Sequence, residues 1–559
     1  MPLNFNVALA QINPTVGDIA GNARLVLDYY RQAAGQGADI VVFPELCITG
    51  YPPEDLILMP AFRREAMLAV RELARHTKGG AAMVVGSVWE EENIYNAALL
   101  LEDGEVAHVQ AKTMLPNYGI FDEKRLFSAG DGPKLAQWRG VKIGLLVCED
   151  MWYPQLAEEY QTQGAELLIV INASPFEAGK LAQRRAIAAA AKLPLLYVNM
   201  VGGQDDIVFD GGSFMMDGRG EITLQMQEFE QGLAFTQTPT CHPPLTTYHS
   251  LWSAMTLGLR DYVNKNGFSG VVLGLSGGID SAVTAAAAVD ALGAKRVKAV
   301  LLPSPYTSAE SIEDALLSAQ LLGIETMRIP ITPGMGMFEG LLDPVFDQGG
   351  WMENPLIGGN IQARLRGMIL MAISNRFGWM LLSTANKSEI SVGYSTLYGD
   401  SCGGYNVLKD LYKTQVYALA EWRNASTPSP SWGEGRVGVI GEGLPGNPPP
   451  QPSPQLGEGE VCIPLRSIAK PPSAELAPGQ KDEDQLPPYA VLDAVLALHI
   501  EGRLSAQEIA AEGFELELVE RITKMVRQSE YKRRQSCPGV KLSPMLFGKD
   551  RRYPLTNKF

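Results

Sequence analysis

Residues 271–281 read VVLGLSGGIDS, and this stretch decides the fold of the second half of the chain. Its apolar run, residues 271–275, is typical of a short strand, and it breaks at residues 276–278 before the helix-forming segment 282–292. Glycine lets the backbone approach a ligand because no Cβ stands in the way, and the unpaired N–H groups of a first helical turn attract anions. The stretch therefore predicts a strand, a phosphate-binding turn and a helix.

Asp280 sets the expected chemistry of this turn. The motif has neither the Gly-Lys-Ser/Thr of a Walker loop nor a GxGxxG pattern, so an ordinary Gly/Ser turn is the alternative interpretation. A carboxylate beside phosphate is favourable mainly when a divalent cation bridges the two. GLSGGIDS resembles the pyrophosphate-binding loop of the N-type ATP pyrophosphatases, which adenylate a substrate. The resemblance implies an ATP site formed by Gly274, Leu275, Ser276, Gly277, Gly278, Ile279, Asp280 and Ser281.

The composition indicates a globular chain with more than one domain. Its 559 residues exceed one ordinary core, and its 46% hydrophobic and 19% charged residues are globular values. The net charge of −15 argues against general binding to nucleic acid or to a membrane surface. The six cysteines form no CxxC pair, and neither a leader-like start nor a long apolar segment is present. We expect a cytoplasmic protein with two domains, residues 1–245 and 246–559.

Three reactive side chains of the first half each follow an apolar, strand-like run, namely Glu45, Lys112 and Cys148. A cysteine attacks as its thiolate, so it needs a base that takes its proton and a cation near the developing oxyanion. Glutamate and lysine can supply these roles. Each residue taken alone is more often a buried thiol or a solvated surface group, so only the combination predicts catalysis.

The segments FPELCITGYPPEDL, KTMLPNYGIFDEKRLF and LLVCEDMW, within residues 4–240, resemble the nitrilase (carbon–nitrogen hydrolase) superfamily. The resemblance implies an α/β fold of the αββα sandwich type. It implies that Glu45 is the general base, that Lys112 stabilises the tetrahedral intermediate and that Cys148 forms a thioester. It further implies that the amide substrate is glutamine, bound by Tyr118, Ser174 and Lys180.

The second half repeats a β-α-β order, with strands expected at 297–302 and 326–331 around a helix at 308–322. This order predicts a parallel, doubly wound (Rossmann-like) sheet with its ligand at the carboxyl ends of the strands. From about residue 250 onward, TANKSEISVGYSTLYGDSCGGYNVLKDLYKTQ, PPSAELAPGQKDEDQLPPY and SEYKRRQ resemble NAD synthetases. The resemblance implies ATP contacts from Thr384, Lys413 and Ser473, Mg²⁺ held by Asp280 and Glu389, and deamido-NAD contacts from Asn360, Arg364, Glu389 and Lys532.

One segment departs from the family pattern. Residues 428–435 (PSPSWGEG) and 452–459 (PSPQLGEG) form an imperfect repeat that is rich in Pro, Gly and Ser. Such a composition cannot bury enough apolar surface to offset the entropy lost on ordering. The sequence therefore predicts a disordered insertion at about 425–461.

Together the two halves predict an enzyme that releases ammonia from glutamine and uses ATP and Mg²⁺ to amidate deamido-NAD to NAD. One alternative is another ATP-pyrophosphatase amidotransferase that acts on a different carboxylate. A second alternative is an amidase whose carboxyl-terminal half senses a nucleotide, although a sensor has no need of a metal-bridged leaving group. The family resemblance also implies a homo-oligomer, and we expect no nucleic-acid or membrane partner.

Overall fold

The computed structural model describes residues 5–346, 354, 356–426 and 461–557. The chain forms two compact units, Met1–Gly258 and Leu259–Phe559. The insertion predicted at 425–461 lies almost wholly outside the described residues, so its disorder stays a prediction. Within the described ranges, none of the helices is both long enough and apolar enough to cross a membrane.

The first unit contains fourteen strands and four helices among its described residues. In chain order they are β1 (Val7–Gln11), α1 (Ile19–Gly35), β2 (Ile40–Val42), α2 (Pro60–Arg75), β3 (Ala82–Glu90), β4 (Ile94–Glu102), β5 (Glu105–Ala111), β6 (Ala136–Trp138), β7 (Val141–Val147), α3 (Pro154–Gln163), β8 (Leu167–Asn172), α4 (Lys180–Ala190), β9 (Leu195–Asn199), β10 (Val201–Gln204), β11 (Ile207–Asp210), β12 (Phe214–Met216), β13 (Ile222–Gln225) and β14 (Gly232–Phe235). Short 3₁₀ helices cover Glu54–Leu58, Glu123–Arg125 and Cys148–Trp152.

These strands build two six-stranded sheets and a separate hairpin. One sheet has the order β14-β1-β2-β3-β4-β5, the other β13-β12-β9-β8-β7-β6, and β10 pairs with β11. Strands β1, β2 and β3 are parallel, as are β7, β8 and β9. The carboxyl ends of β2 and β7, which precede Glu45 and Cys148, are therefore positions where a parallel sheet places functional groups.

The alternation of side chains along β1 shows how the layers pack. Val7 and Leu9 belong to the core between the two sheets, whereas Ala8 and Ala10 belong to the core beneath α1 and α2. A third core lies between the second sheet and the helices α3 and α4. Two sheets with helices outside each of them confirm the αββα sandwich that the sequence predicts.

The second unit consists mainly of helices around one small sheet. Helix α5 (Thr247–Lys265) crosses the boundary between the units and is followed by β15 (Val271–Gly274), α6 (Ile279–Leu292), β16 (Val297–Leu301), α7 (Ala309–Leu322), β17 (Glu325–Arg328), α8 (Thr332–Leu342), α9 (Ile357–Phe377), β18 (Met380–Ser383), α10 (Lys387–Val392), β19 (Tyr405–Asn406), α11 (Lys413–Ala425), α12 (Leu465–Ala469), α13 (Tyr489–Ile500), α14 (Ala506–Ala511), α15 (Leu516–Gln528) and α16 (Glu530–Arg533).

The small sheet is parallel and has the order β17-β16-β15-β18-β19. The chain moves outward from β15 to β17 and then returns to the other side of β15 with β18. Ligands bind in the crevice that such a reversal opens at the carboxyl ends of the strands, here those of β15 and β18. The predicted doubly wound sheet is confirmed, and its switch point lies where the glycine loop begins.

Two element boundaries differ from the sequence-based expectation. Helix α6 begins at Ile279 rather than at 282, because Gly278 has the extended conformation of an N-cap and the chain turns helical at once. Asp280 and Ser281 therefore lie in the first helical turn and not in the loop. Strand β17 ends at Arg328 rather than at 331. The N–H groups of Ile329 and Ile331 still donate to the carbonyls of Leu301 and Pro303, but Pro303 has no N–H with which the neighbouring chain could continue the ladder.

Candidate active sites

Glu45 lies at the centre of a buried polar cluster in the first unit. Its Oε1 accepts hydrogen bonds from Lys112 Nζ (2.8 Å) and Asn96 Nδ2 (2.7 Å), and its Oε2 accepts one from the Ala173 N–H (2.8 Å). Glu45 and Asn96 are fully buried. The carboxylate is thus held by donors from β4, from the residue after β5 and from the residue after β8, which leaves it a fixed orientation.

Lys112 is bound by two carboxylates at once. Its Nζ is 2.8 Å from Glu45 Oε1 and 2.8 Å from Glu123 Oε1, and Glu123 also accepts a hydrogen bond of 2.8 Å from the Tyr51 hydroxyl. Burial lowers the pKa of Lys112, but the two carboxylates outweigh it and raise this pKa well above its usual value. Lys112 therefore stays a cation, as a group that stabilises an oxyanion must.

Cys148 stands where β7 turns into a 3₁₀ helix, with a φ of 49° that is uncommon for a residue with a side chain. The side chain is buried, and burial together with the Glu45 carboxylate raises the pKa of its thiol well above the usual value, although the Lys112 ammonium lowers it. The sulfur is therefore a neutral thiol at rest. A neutral thiol becomes a nucleophile only when a base takes its proton, and Glu45 is a carboxylate close enough to affect the pKa of this thiol.

The residues expected to bind glutamine divide into two groups. The Tyr118 hydroxyl donates to both Glu149 oxygens, at 3.1 and 3.0 Å. Burial raises the pKa of Glu149, whereas the hydrogen bond from Tyr118 and the positive charges of Lys112 and Lys180 lower it. Tyr118 thus contacts Glu149, the residue after Cys148, and Lys180 acts on the same carboxylate electrostatically. Lys180 Nζ also lies 5.2 Å from the centre of the Trp152 ring.

Ser174 belongs to a separate buried network. Its hydroxyl oxygen accepts a hydrogen bond of 3.1 Å from Arg184 Nε, and Arg184 pairs with Asp210 at 2.8 Å. Both charged side chains of that pair are fully buried. The Ser174 hydroxyl also hydrogen-bonds the Tyr197 side chain.

In the second unit, a cavity of about 300 Å³ lies at the switch point of the sheet. Of the residues expected to bind ATP, all but Gly277 line it: Gly274, Leu275, Ser276, Gly278, Ile279, Asp280, Ser281, Thr384, Lys413 and Ser473. Gly277 lies behind the loop with a φ of 85°, and a Cβ there would stand 2.2 Å from the Ser311 carbonyl oxygen. Only glycine fits this position.

Asp280, Lys413 and Glu389 form a charged triangle at this cavity. Lys413 Nζ forms an ion pair with Asp280 Oδ2 and lies 3.5 Å from Glu389 Oε1, and Asn386 Nδ2 donates to Asp280 Oδ1 at 3.0 Å. Burial and the Asp280 carboxylate raise the pKa of Glu389 to about 8. Two carboxylates that repel each other indicate a place for additional positive charge beside Lys413.

The donor set at this triangle fits magnesium. Among the residues that the structure describes, no group of three His, Cys, Asp or Glu side chains could hold a metal ion. Mg²⁺ usually takes only one or two protein carboxylates and completes its octahedron with phosphate oxygens and water. Asp280 and Glu389 are hard oxygen ligands of this kind, so a two-carboxylate site shared with a bound phosphate suits them.

The residues expected to contact deamido-NAD lie outside the lining of this cavity, except for Glu389. Asn360 Oδ1 accepts from the Thr396 hydroxyl (2.8 Å), and Arg364 Nε donates to the Leu397 carbonyl (3.2 Å). Lys532 Nζ donates to the carbonyls of Gly393 (2.7 Å) and Ser395 (2.6 Å). The structure thus gathers these three side chains around one segment, residues 393–397, which begins four residues after Glu389.

Comparisons with known proteins match both halves of the chain. Residues 6–240 match the carbon-nitrogen hydrolase family, and residues 251–536 match the NAD synthase family. A glutamine-dependent NAD(+) synthetase of Rhodobacter capsulatus is 44% identical, and the alignment covers 99% of both chains. The corresponding enzyme of Thermotoga maritima is 40% identical, again over 99% of each chain. The chain belongs to the glutamine-dependent NAD(+) synthetase family.

Solved structures of this family agree with the fold. The glutamine-dependent NAD(+) synthetase of Acinetobacter baumannii, in complex with adenosine diphosphate, is 39% identical with a TM-score of 0.74, covering 99% of this chain and 98% of that one. The enzyme of Cytophaga hutchinsonii is 21% identical with a TM-score of 0.80, over 99% and 98% of the two chains. The latter likeness concerns the fold alone.

Sequence reasoning missed several side chains of the hydrolase site in this family member. Glu123 shares Lys112 with Glu45, yet it stands in a 3₁₀ helix within a loop, where no strand pattern marks it. Asp150 accepts from the N–H groups of Thr113 (3.0 Å), Met114 (2.7 Å) and Val147 (3.0 Å), so one carboxylate ties the segment after Lys112 to the residue before Cys148. The adjacency of Asp150 to the cysteine was the only available signal.

The synthetase cavity also contains charged groups that the motifs did not identify. Arg366 lines it and donates to the Leu302 carbonyl at 3.1 Å, and burial lowers the pKa of this arginine to about 10. Lys470 lines it as well and lies 3.1 Å from Glu475 Oε1. Asp400 and Asp482 are further lining residues. The two cations suit an anionic ligand, and only proximity to the quoted motifs could have suggested them.

Proposed function

We propose that the chain converts deamido-NAD into NAD, with ATP as the activating substrate and glutamine as the source of ammonia. The products are NAD, AMP, pyrophosphate and glutamate. The observation that carries the proposal is the presence, in one chain, of a buried Glu45–Lys112–Cys148 cluster and of a glycine loop that faces an acidic pair. We assign residues 1–245 to the glutaminase and 246–559 to the synthetase.

In the glutaminase, Glu45 takes the proton of the Cys148 thiol as the sulfur attacks the carboxamide carbon of glutamine. The raised pKa of the thiol supports this order, because a neutral thiol requires a base at that moment. Lys112 stabilises the negative oxygen of the tetrahedral intermediate. The C–N bond then breaks, the nitrogen leaves as ammonia with the proton from Glu45, and water hydrolyses the thioester to glutamate.

We assign glutamine binding to Tyr118, Ser174 and Lys180. Lys180 provides a positive charge for the α-carboxylate of the substrate. Tyr118 provides a hydroxyl group at an exposed position, and Ser174 provides one at a buried position. The hydrogen bond from Tyr118 to Glu149, which follows Cys148, and the lowering effect of Lys180 on the pKa of Glu149 support a common pocket. These polar groups would discriminate glutamine from a simple apolar amide, which would leave them unpaired.

In the synthetase, a carboxylate oxygen of deamido-NAD attacks the α-phosphorus of ATP, and the bond to the β-phosphate breaks to release pyrophosphate. Ammonia then attacks the acyl carbon and AMP leaves. Residues 274–281 together with Thr384, Lys413 and Ser473 bind ATP, since all of them except Gly277 line one cavity. The Lys413 ammonium lies where it can neutralise charge on the leaving group.

Asp280 and Glu389 would hold Mg²⁺ at this cavity. When bound, the ion supplies charge neutralisation to the pyrophosphate group. The two carboxylates also keep Lys413 oriented, and Asn386 fixes Asp280 through a hydrogen bond of 3.0 Å. We assign deamido-NAD to Asn360, Arg364, Glu389 and Lys532, because the segment that follows Glu389 is shared by the other three.

A pyrophosphate-release assay tests this function against its alternatives. With ATP, Mg²⁺ and an ammonium salt, deamido-NAD should trigger pyrophosphate release and NAD formation, whereas other carboxylic acids should not. A different preferred acid would support another amidotransferase, and nucleotide binding without pyrophosphate would support a sensor. Neither alternative accounts for relatives that align with 99% of the chain, at 40 and 44% identity, and are named glutamine-dependent NAD(+) synthetases.

We also propose that the protein is a homo-oligomer. The helices α8 and α9 expose large apolar side chains. At least half of the surface of each of the following residues is exposed: Met337, Leu341, Met368 and Phe377. A second copy could bury such side chains. Mass photometry at nanomolar concentration should give a mass that is a multiple of 60.6 kDa; a monomer would contradict this part of the proposal.

A further inference from the structure

Ser467 contacts the phosphate-binding loop from a remote part of the chain. It lies on α12, and its hydroxyl donates a hydrogen bond of 3.0 Å to the carbonyl oxygen of Gly277, 190 residues earlier. The side chain is buried, with 2% of the residue exposed. Nothing in the motifs quoted above marks this residue, because its partner is a backbone atom.

The orientation of one peptide group depends on this contact. The carbonyl of Gly277 and the N–H of Gly278 belong to the same planar peptide unit, and in a trans peptide they point in opposite directions. Gly278 lines the cavity, whereas Gly277 lies behind it. A donor that fixes the direction of the Gly277 carbonyl therefore also fixes the opposite direction of the Gly278 N–H, at a residue that lines the cavity. This N–H now reaches only the Ser276 hydroxyl, at 3.3 Å.

The surroundings leave the loop little freedom to replace that contact. Gly277 is pressed against Ser311 of α7, where even a Cβ would come within 2.2 Å of a carbonyl oxygen. Helix α12 is fixed to α7 through Arg466, whose Nε is 2.6 Å from Asp314 Oδ1. The carboxylate of Asp314 is buried. Ser467 thus lies on a helix, α12, that is fixed to α7, and the loop that it contacts also packs closely against α7.

Ser467 borders the cavity, but its hydroxyl is poorly suited to bind a phosphate directly. A serine has one hydroxyl proton, and this proton is already donated to Gly277. Phosphate oxygens accept hydrogen bonds and cannot donate one to the serine oxygen when ionised. The hydroxyl therefore acts on the loop and not on the ligand.

We propose that Ser467 is a positioning residue of the synthetase, which sets the Gly277–Gly278 peptide so that its N–H binds the phosphates that leave as pyrophosphate. The proposal rests on the proposed function, since it assumes that ATP is cleaved at this cavity. Loss of the hydroxyl leaves the peptide free to rotate and removes one fixed donor from the bound pyrophosphate group. The effect appears in interactions with ATP and pyrophosphate and not in those with deamido-NAD or ammonia.

The test measures ammonia-dependent NAD synthesis by the full-length chain and its inhibition by pyrophosphate. In Ser467→Ala, the inhibition constant of pyrophosphate should rise about tenfold and kcat/KM for ATP should fall by a similar factor, the loss expected for one hydrogen bond to a charged group. The KM values for deamido-NAD and ammonium should not change. Ser467→Cys, which has a similar volume and a weaker donor, should show a smaller change in the same direction.

Ser318→Ala is the matched control. Its hydroxyl is also buried and donates to a backbone carbonyl, that of Asp314 at 2.8 Å, but within α7 and away from the loop. It should leave all these constants unchanged.

The proposal is overturned if the inhibition constant of pyrophosphate is unaltered in Ser467→Ala. If the alanine variant does not fold, the same result in Ser467→Cys overturns it. A fall of kcat alone would also overturn it, because that result means a smaller active fraction. If the wild-type chain itself releases no pyrophosphate, the proposed function fails instead.

Discussion

Lys413 forms an ion pair with Asp280, a residue 133 positions earlier in the chain. The same ammonium lies 3.5 Å from Glu389 Oε1. Lys413, at the start of α11, therefore links Asp280 in the first turn of α6 to Glu389 in α10. Asp280 and Glu389 would repel each other without this cation. The pairing explains how two carboxylates can lie close together beside the glycine loop, and both of them line the cavity.

We expect Asp280→Asn to fold normally and to lose NAD synthesis with either glutamine or ammonium. The amide keeps the size and the contact with Asn386 but removes the negative charge that Lys413 and Mg²⁺ require, at a cost of at least about a hundredfold in kcat/KM for ATP. Asp290→Asn is the control, because Asp290 lies on the same helix and pairs with Arg423 instead. Near-normal synthesis by Asp280→Asn at ordinary Mg²⁺ would refute the assigned role.

The raised pKa of Cys148 predicts how this thiol reacts with iodoacetamide as the pH changes. Since burial and Glu45 both disfavour the thiolate, alkylation should be slow at pH 7 and should still increase at pH 9. Glu45→Gln removes a negative charge and leaves Lys112, so the pKa should fall and alkylation at pH 8 should accelerate, although glutaminase activity is lost.

Mass spectrometry of the labelled peptides separates the rates, and the exposed Cys241 serves as an internal reference in every sample. A wild-type rate that levels off below pH 7 would mean that the resting sulfur is already a thiolate. Slower alkylation in Glu45→Gln would mean that the carboxylate does not act on Cys148 as described.

Gly86 on β3 should be essential for the position of Glu45. A Cβ at Gly86 would lie 2.4 Å from the Leu46 nitrogen and 2.6 Å from the Glu45 Cα, so the backbone that carries Glu45 would have to move. Gly86→Ala should lower glutamine-dependent activity by about a hundredfold, because small displacements of a catalytic group have effects of that order. Ammonia-dependent synthesis should persist. In Gly35→Ala, where no atom lies within 4 Å of the new Cβ, both activities should be retained.

The insertion can be removed, on this account, without harm to the synthetase. Asn424 Oδ1 accepts from the N–H groups of Cys462 (3.1 Å) and Ile463 (3.0 Å), so one side chain holds together the two ends from which residues 427–460 depart. Replacing 427–460 by a short Gly/Ser linker should leave the melting temperature and the ammonia-dependent rate unchanged. A clear drop in either quantity would show that the segment has a structural or catalytic role. Asn424→Ala should, in contrast, lower the melting temperature.

The β-α-β order of apolar, strand-like runs predicted the parallel sheet of the second unit, whereas the αββα layers of the first unit were implied by the resemblance to the nitrilase superfamily. The runs 271–275 and 297–302, predicted as strands, contain β15 and β16, and the switch point lies at the end of β15. The nucleophile and its neighbours stand at strand ends, where function is expected. Their pairwise contacts, such as Lys112 with both Glu45 and Glu123, depend on long-range packing that no local pattern encodes.

The start of α6 is a smaller feature that the sequence-based prediction also missed. Residues 279–281 read as part of a turn because two glycines precede them, yet Gly278 can act as N-cap and the helix starts immediately. Hydrogen bonds from side chains to distant backbone atoms could not be predicted from the sequence either. The hydrogen bond from Ser467 to Gly277 leaves no mark in the sequence, since any residue at 277 would present a carbonyl.

The central claim is that ammonia release and amidation are separate reactions at separate sites, and Cys148→Ala tests it most directly. NAD formation is measured with glutamine and with ammonium chloride as nitrogen donors, for the wild-type chain, for this variant and for Cys241→Ala as the control. The account predicts that Cys148→Ala makes no NAD from glutamine but retains the wild-type rate with ammonium, and that this rate rises with pH as free ammonia increases. Synthesis from glutamine by Cys148→Ala, or loss of its ammonium reaction, would contradict the account.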